Sequence, residues 1–207
     1  MDSGSVPGRE GAGRSSVETY ILALAAFAAA LAASWVYWYG VESGPRVVLV
    51  AALFGGFILL SSAFPIRVSD RWSIGTWDIG LMLAIVVLGP FWAAVAALPA
   101  AFLVGRGDPL RTTYEASLST IAVFLAGMVF SLVSAPLLTG SPASPAPALY
   151  GAFTAAVVLL AVIHAVNAGL LRVKYGQGLE QTWRELVEPY LISDAVNVLT
   201  AGIGVLA

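Results

Sequence analysis

The sequence predicts an all-α fold: a polytopic membrane helix bundle of about seven spans, including a short helical hairpin at 77–104. Three observations lead there. Of 207 residues, 59% are hydrophobic and 11% charged, and the mean hydropathy is +0.88. A soluble domain is about a quarter charged, so this chain lacks the polar side chains to clothe a water-facing surface, and its apolar surface must meet lipid or other lipid-embedded helices. The apolar residues fall into runs long enough to cross a bilayer, which takes about 20 helical residues. The ten cationic side chains lie almost entirely in alternate loops.

Residues 1–16, MDSGSVPGREGAGRSS, are Gly/Ser-rich and polar and predict a disordered cytoplasmic tail ahead of a membrane domain over 17–207. Val17 to Tyr39 is the first span, closing in WVYWY, an aromatic group suited to the headgroup layer. A cleaved secretory signal is the rival reading, from the basic tail, the alanine-rich run and the small residues near Ala33. The aromatic anchor that follows favours a retained helix. Further spans are expected at Val47–Phe64, Ser117–Leu138, Leu149–Leu171 and Tyr190–Ala207.

Two shorter runs, Trp77–Leu88 and Phe91–Val104, are joined by Gly89-Pro90. Twelve helical residues reach about 18 Å, against a hydrocarbon core of about 30 Å. Either the polar TWDIG end lengthens the first helix or the pair forms a re-entrant hairpin. Proline is tolerated at a helix start, where its missing N–H would be unpaired anyway, so Gly89-Pro90 reads as a tight helix–helix turn. Counted as two crossings, the pair puts Arg9, Arg14, Arg67, Arg71, Arg106, Arg111, Arg172, Lys174 and Arg184 on the N-terminal side and Arg46 alone on the other. That split predicts a cytoplasmic N-terminus. The neutral linker TGSPASPAPA, 139–148, falls on the outer side.

Absence of cysteine excludes disulfides, thiolate metal sites and cysteine nucleophiles. A single histidine excludes a histidine-rich zinc or haem site, and no metal or other cofactor is expected. No phosphate loop, nucleophile elbow, zinc-protease helix or calcium loop is present. Polar groups inside a membrane are costly and mark candidate sites. His164 and Asn167, in VIHAVNAG, are three apart and share a helix face. Asp194 and Asn197, in ISDAVNVL, repeat that spacing on the last span. The four predict a polar cluster in which Asp194 accepts from His164 and the amides close the network. Its two readings are interhelical glue and a ligand or proton site. Asp78 has two as well: a first-turn carboxylate favoured by the helix dipole, with Trp72 and Trp77 at headgroup level, or a ligand contact. Glu115, in RTTYEASLS, is a first-turn glutamate and the sixth candidate. LEQTWREL, 179–186, places Leu179, Trp183 and Leu186 on one stripe and predicts an amphipathic interfacial segment ending before Pro189.

From residue 64 onward the order of segments is FPIRVSDRWSIGTWD, a short apolar helix, LGP, a second alanine-rich helix, DPLRTTYEASLST, Asn167 inside a span, LEQTWRELVEPYL and a final apolar span. This resembles the N-terminal membrane domains of bacterial, especially actinobacterial, HD-GYP phosphohydrolases and related diguanylate-cyclase-type regulators, over roughly residues 45–207. Glu115 stands where that pattern carries asparagine. The resemblance implies a sensor or anchor module in the bacterial cell membrane whose enzyme lies in a cytoplasmic domain beyond the last span. It also implies an even number of spans, so one more helix and an output domain are expected after Ala207. With one histidine there is no HD metal site, and the segment itself is not expected to be an enzyme. The alternative is a small-molecule-binding subunit of an uptake transporter, suited by the broken helices and the intramembrane His, Asp and Asn residues. The bilayer is the expected partner. A homodimer and an unidentified small-molecule ligand remain open, and no nucleic acid is expected.

Overall fold

The computed structural model describes residues 8–41, 43–64, 66–69, 72–74, 77–138 and 146–204. Its elements in order are α1 (Gly8–Tyr39), α2 (Pro45–Ala63), β1 (Ile66–Ser69), β2 (Trp72–Ile74), α3 (Trp77–Gly105), α4 (Pro109–Leu138), α5 (Ala146–Tyr175), α6 (Leu179–Thr182) and α7 (Leu191–Gly204). Among the described residues the regular structure is helical apart from one antiparallel pair, with Ile66 opposite Ile74 and Arg67 opposite Ser73, and five helices are long and apolar enough to cross a membrane. The sequence count of about seven differs because it splits α3 in two and includes α7. That last helix has 14 residues, about 21 Å and short of the core thickness; residues 205–207 of the expected last span lie outside the described residues.

Helix α1 starts inside the segment expected to be a disordered tail. Glu10 and Arg14 lie four apart with the acid first, a spacing that supports a helix, and no proline interrupts it after Pro7. At its other end Tyr37, Trp38 and Tyr39 are at least 71% exposed, as an aromatic belt at the headgroups requires. The first residues of the Pro/Ser linker, 139–145, and Arg71 lie outside the described residues.

Within α3, Gly89 has φ 76° and ψ 168°, a region essentially reserved for glycine. Its effect is legible in the neighbours. A Cβ on Gly80 would lie 2.9 Å from the Ile58 side chain, and one on Gly55 3.2 Å from the Ala96 carbonyl oxygen. Residues 55 and 58 occupy one turn of α2, whereas an unbroken α3 would hold residues 80 and 96 about 24 Å apart. The chain therefore folds back at Gly89-Pro90, and both arms pack on α2. The arm after Pro90 runs antiparallel to α4, with Gly105 against Thr112 at one end and Pro90 against Gly127 at the other.

Alanine dominates the core. Ala84, Ala93, Ala122, Ala126, Ala152 and Ala155 are fully buried, around Leu81, Ile85, Phe124 and Leu159. Small side chains let helix backbones approach closely where no hydrophobic drive between helices exists. Large apolar residues point outward instead: Leu53, Leu60, Phe102 and Leu132 are each at least 60% exposed. Helices α4 and α5 are antiparallel, Tyr114 meeting Asn167 at one end and Gly151 meeting Ser134 and Phe130 at the other. Helix α1 runs alongside α4, Ile21 near Tyr114 and Leu118, Trp35 edge-on to Phe124. This gathers the described cations of the sequence split at one end of the bundle and leaves Arg46 at the start of α2, at the other.

After α6 the chain stays helical but changes pitch. Trp183–Val187 is a π-helical turn and Glu188–Tyr190 a 3₁₀ turn, with the Glu188 N–H donating to the Trp183 carbonyl. Pro189 lacks an N–H and cannot continue the i→i−4 ladder, so the regular pitch is lost before it. Thr182, 4% exposed, faces inward while Trp183 is 54% exposed.

Candidate functional site

The polar residues of α3, α5 and α7 meet in the half of the bundle nearest the cationic end. His164 sits two turns or more inside α5, where its neighbours are apolar, and its Nε2 lies 2.6 Å from Asp194 Oδ2; each side chain is 19% exposed. With the proton on Nε2 the imidazole donates to the carboxylate. One turn further along α7, Asn197 is 4% exposed, and its amide donates to Asp78 Oδ2 over a long 3.4 Å. Asp78 is the second residue of α3 and lies within electrostatic reach of both Asp194 and His164. Its Oδ1 and His164 Nδ1 are buried and take no hydrogen bond among the described residues.

The six predicted residues separate into three groups. His164, Asp194, Asn197 and Asp78 form one connected cluster. Asn167 leaves the predicted network: its Oδ1 accepts from the Tyr114 hydroxyl at 2.7 Å and its amide donates to the Ile163 carbonyl at 2.9 Å. It faces α4 rather than α7, one helix turn having carried it past Asp194. Glu115 adjoins Tyr114 in sequence but makes no hydrogen bond to the cluster among the described residues. Asp78 does stand in the first turn of α3, where the helix dipole favours a carboxylate, and its Oδ2 also accepts from Asn197.

Two tyrosines escaped the sequence reading. Tyr114 is 6% exposed, and Tyr20 of α1 donates to the Val166 carbonyl at 2.8 Å, its ring lying where a side chain on Gly169 would sit. A tyrosine near a span end reads as an interfacial anchor. The available signal was the apolar register around Tyr114, which places Leu110, Tyr114 and Leu118 on one face.

Chemically, the cluster is a carboxylate with an open oxygen, a neutral amide bridge and a carboxylate–imidazole pair. It suits binding of a donor or a positive charge. Among the described residues, no group of three or more His, Cys, Asp or Glu converges as a metal site. No protein-family model matches the chain, and neither a curated protein nor a solved structure matches it.

Proposed function

We propose that this chain is a membrane-embedded sensory and anchoring domain of a bacterial signalling protein of the cyclic-dinucleotide type, with the Asp78–Asn197 and His164–Asp194 contacts as its ligand site. The carrying observation is the buried Oδ1 of Asp78, without a hydrogen-bond partner among the described residues, at the meeting of α3, α5 and α7. Buried polar atoms are nearly always satisfied. Asp194 and Asn197 of α7 both bond into this cluster. Occupying it therefore changes how α7 is held, which is the requirement for passing a signal along that helix. In this reading the two arms of α3 and helix α7 count as crossings, giving seven, and the cationic end is cytoplasmic, as the nine-to-one split supports. The segment order shared with HD-GYP-associated membrane domains supports the same assignment.

The test is cellular. In cells expressing the native gene, Asp194→Asn is expected to shift the cyclic-dinucleotide level at unchanged amounts of membrane-inserted protein. An unchanged level removes the sensory reading. The helix break at Gly89, of the kind that forms substrate sites in transporters, favours the uptake reading as second; loss of accumulation of a radiolabelled nutrient in the same variant supports that one.

A further inference from the structure

This inference rests on the ligand-site reading above and adds the class of ligand. We propose that the site binds one monovalent cation, a proton or an alkali ion, between Asp78 and Asp194. Charge accounting supports it. Asp78 lies within electrostatic reach of Asp194 and His164, and imidazolium offsets at most one of the two carboxylates. The described Lys and Arg residues lie in end turns, in β1 and in the connecting segments, and Arg184 is paired with Glu180 at 2.8 Å. A buried carboxylate left uncompensated is costly wherever water is excluded.

Geometry makes the second, independent case. Asp78 directs one oxygen to Asn197 and leaves the other buried with no partner among the described residues. A neutral amide at 3.4 Å satisfies a lone pair and cancels no charge. A divalent ion needs more ligating side chains than converge here; a single positive charge needs only the open oxygen and its neighbour. Beside Asp78 on α3, the packed helices bring His164 on α5 and Asp194 on α7 within electrostatic reach. Their fixed positive charges are Arg111, in the first turn of α4, and Arg172 and Lys174, in the last turn of α5, and among the described residues none of these is ion-paired with Asp78 or Asp194.

The experiment uses the full chain purified in detergent, with unfolding followed by tryptophan fluorescence. Sodium chloride is titrated at fixed, mildly alkaline pH while choline chloride holds ionic strength constant; a second series acidifies the sample in choline alone. Saturable stabilisation by sodium identifies an alkali ion, and stabilisation on acidification without a sodium effect identifies the proton. Asp78→Asn is expected to be more stable than the parent when cation is absent, and to weaken the response about tenfold or more. If that variant does not fold, Asp78→Glu keeps the charge and should keep a response of altered affinity. No response in either series, or an unchanged response in Asp78→Asn and Asp194→Asn, overturns the proposal. Cation binding without an effect of Asp194→Asn on cellular output leaves this inference standing and removes the sensory reading; the reverse result does the opposite.

Discussion

His164 on α5 and Asp194 on α7, thirty residues apart in the chain, meet through Nε2 and Oδ2 at 2.6 Å with each side chain 19% exposed. Their coupling is measurable. Replacing either by leucine leaves the other polar group in an apolar setting, whereas replacing both removes the need for a partner. The double variant is expected to lose less stability than the summed singles, with an interaction energy of about 0.5–2 kcal/mol. Reversible unfolding in mixed micelles measures it, and strict additivity would show that the pair contributes nothing.

That contact was legible in the sequence, and the reason is physical. A membrane span offers few polar groups, so two His/Asp and Asn pairs at the same spacing have little choice of partner. Five helices long enough to cross were legible for a similar reason, since bilayer thickness dictates run length; the expected span at Tyr190–Ala207 is not among them. The contact of Asp78 with Asn197, 119 residues away, was not. It depends on which face of the first arm of α3 packs against α7, which run lengths and loop charges do not fix. Asn167 was assigned to the wrong neighbour because a face shared by i and i+3 spans part of the helix circumference, and a second helix, α4, presented a tyrosine there. The start of α1 at Gly8 was missed because Gly/Ser content outweighed one favourable ion-pair spacing.

The tyrosine belongs to the second prediction. Tyr114→Phe keeps the packing against Ile21 and Leu118 and deletes only the hydroxyl that donates to Asn167. The loss should be about 0.5–1.5 kcal/mol. Tyr37→Phe, at a residue 80% exposed, is the matched control and should change nothing measurable in the same unfolding assay.

A third prediction separates glycines by what surrounds them. A Cβ on Gly127 would approach Pro90 to 2.6 Å, pushing the hairpin tip away from α4, whereas one on Gly56 meets nothing within 4 Å. Gly127→Ala should destabilise by about 1–3 kcal/mol. Gly56→Ala should be neutral or stabilise by up to about 1 kcal/mol, because alanine loses less backbone entropy in a helix. Equal melting temperatures for the two variants would show that the tip does not sit against α4.

The last prediction concerns sidedness, and the absence of cysteine from the native chain makes it direct. Single cysteines at Gly44, Arg106 and Gly178 probe the loops after α1, α3 and α5. Because α3 reverses at Gly89, the loop after it lies at the same end of the bundle as the loop after α5, and Gly44 lies at the opposite end. Had α3 crossed once, Arg106 and Arg111 would share an end with Arg46, and the charge split would be far weaker. A membrane-impermeant maleimide applied to intact cells should therefore label Gly44→Cys and spare Arg106→Cys and Gly178→Cys until the cells are permeabilised. The depth of the tip follows from α4: Gly127, which faces Pro90, comes about 27 Å after Pro109 along the helix, close to the full hydrocarbon thickness. A cysteine at Leu88 should accordingly react slowly from outside, faster than one at Ala84 in the buried core. Labelling of Arg106→Cys in intact cells at the rate of Gly44→Cys would overturn the two-arm arrangement of α3 and with it the cytoplasmic placing of the cationic end.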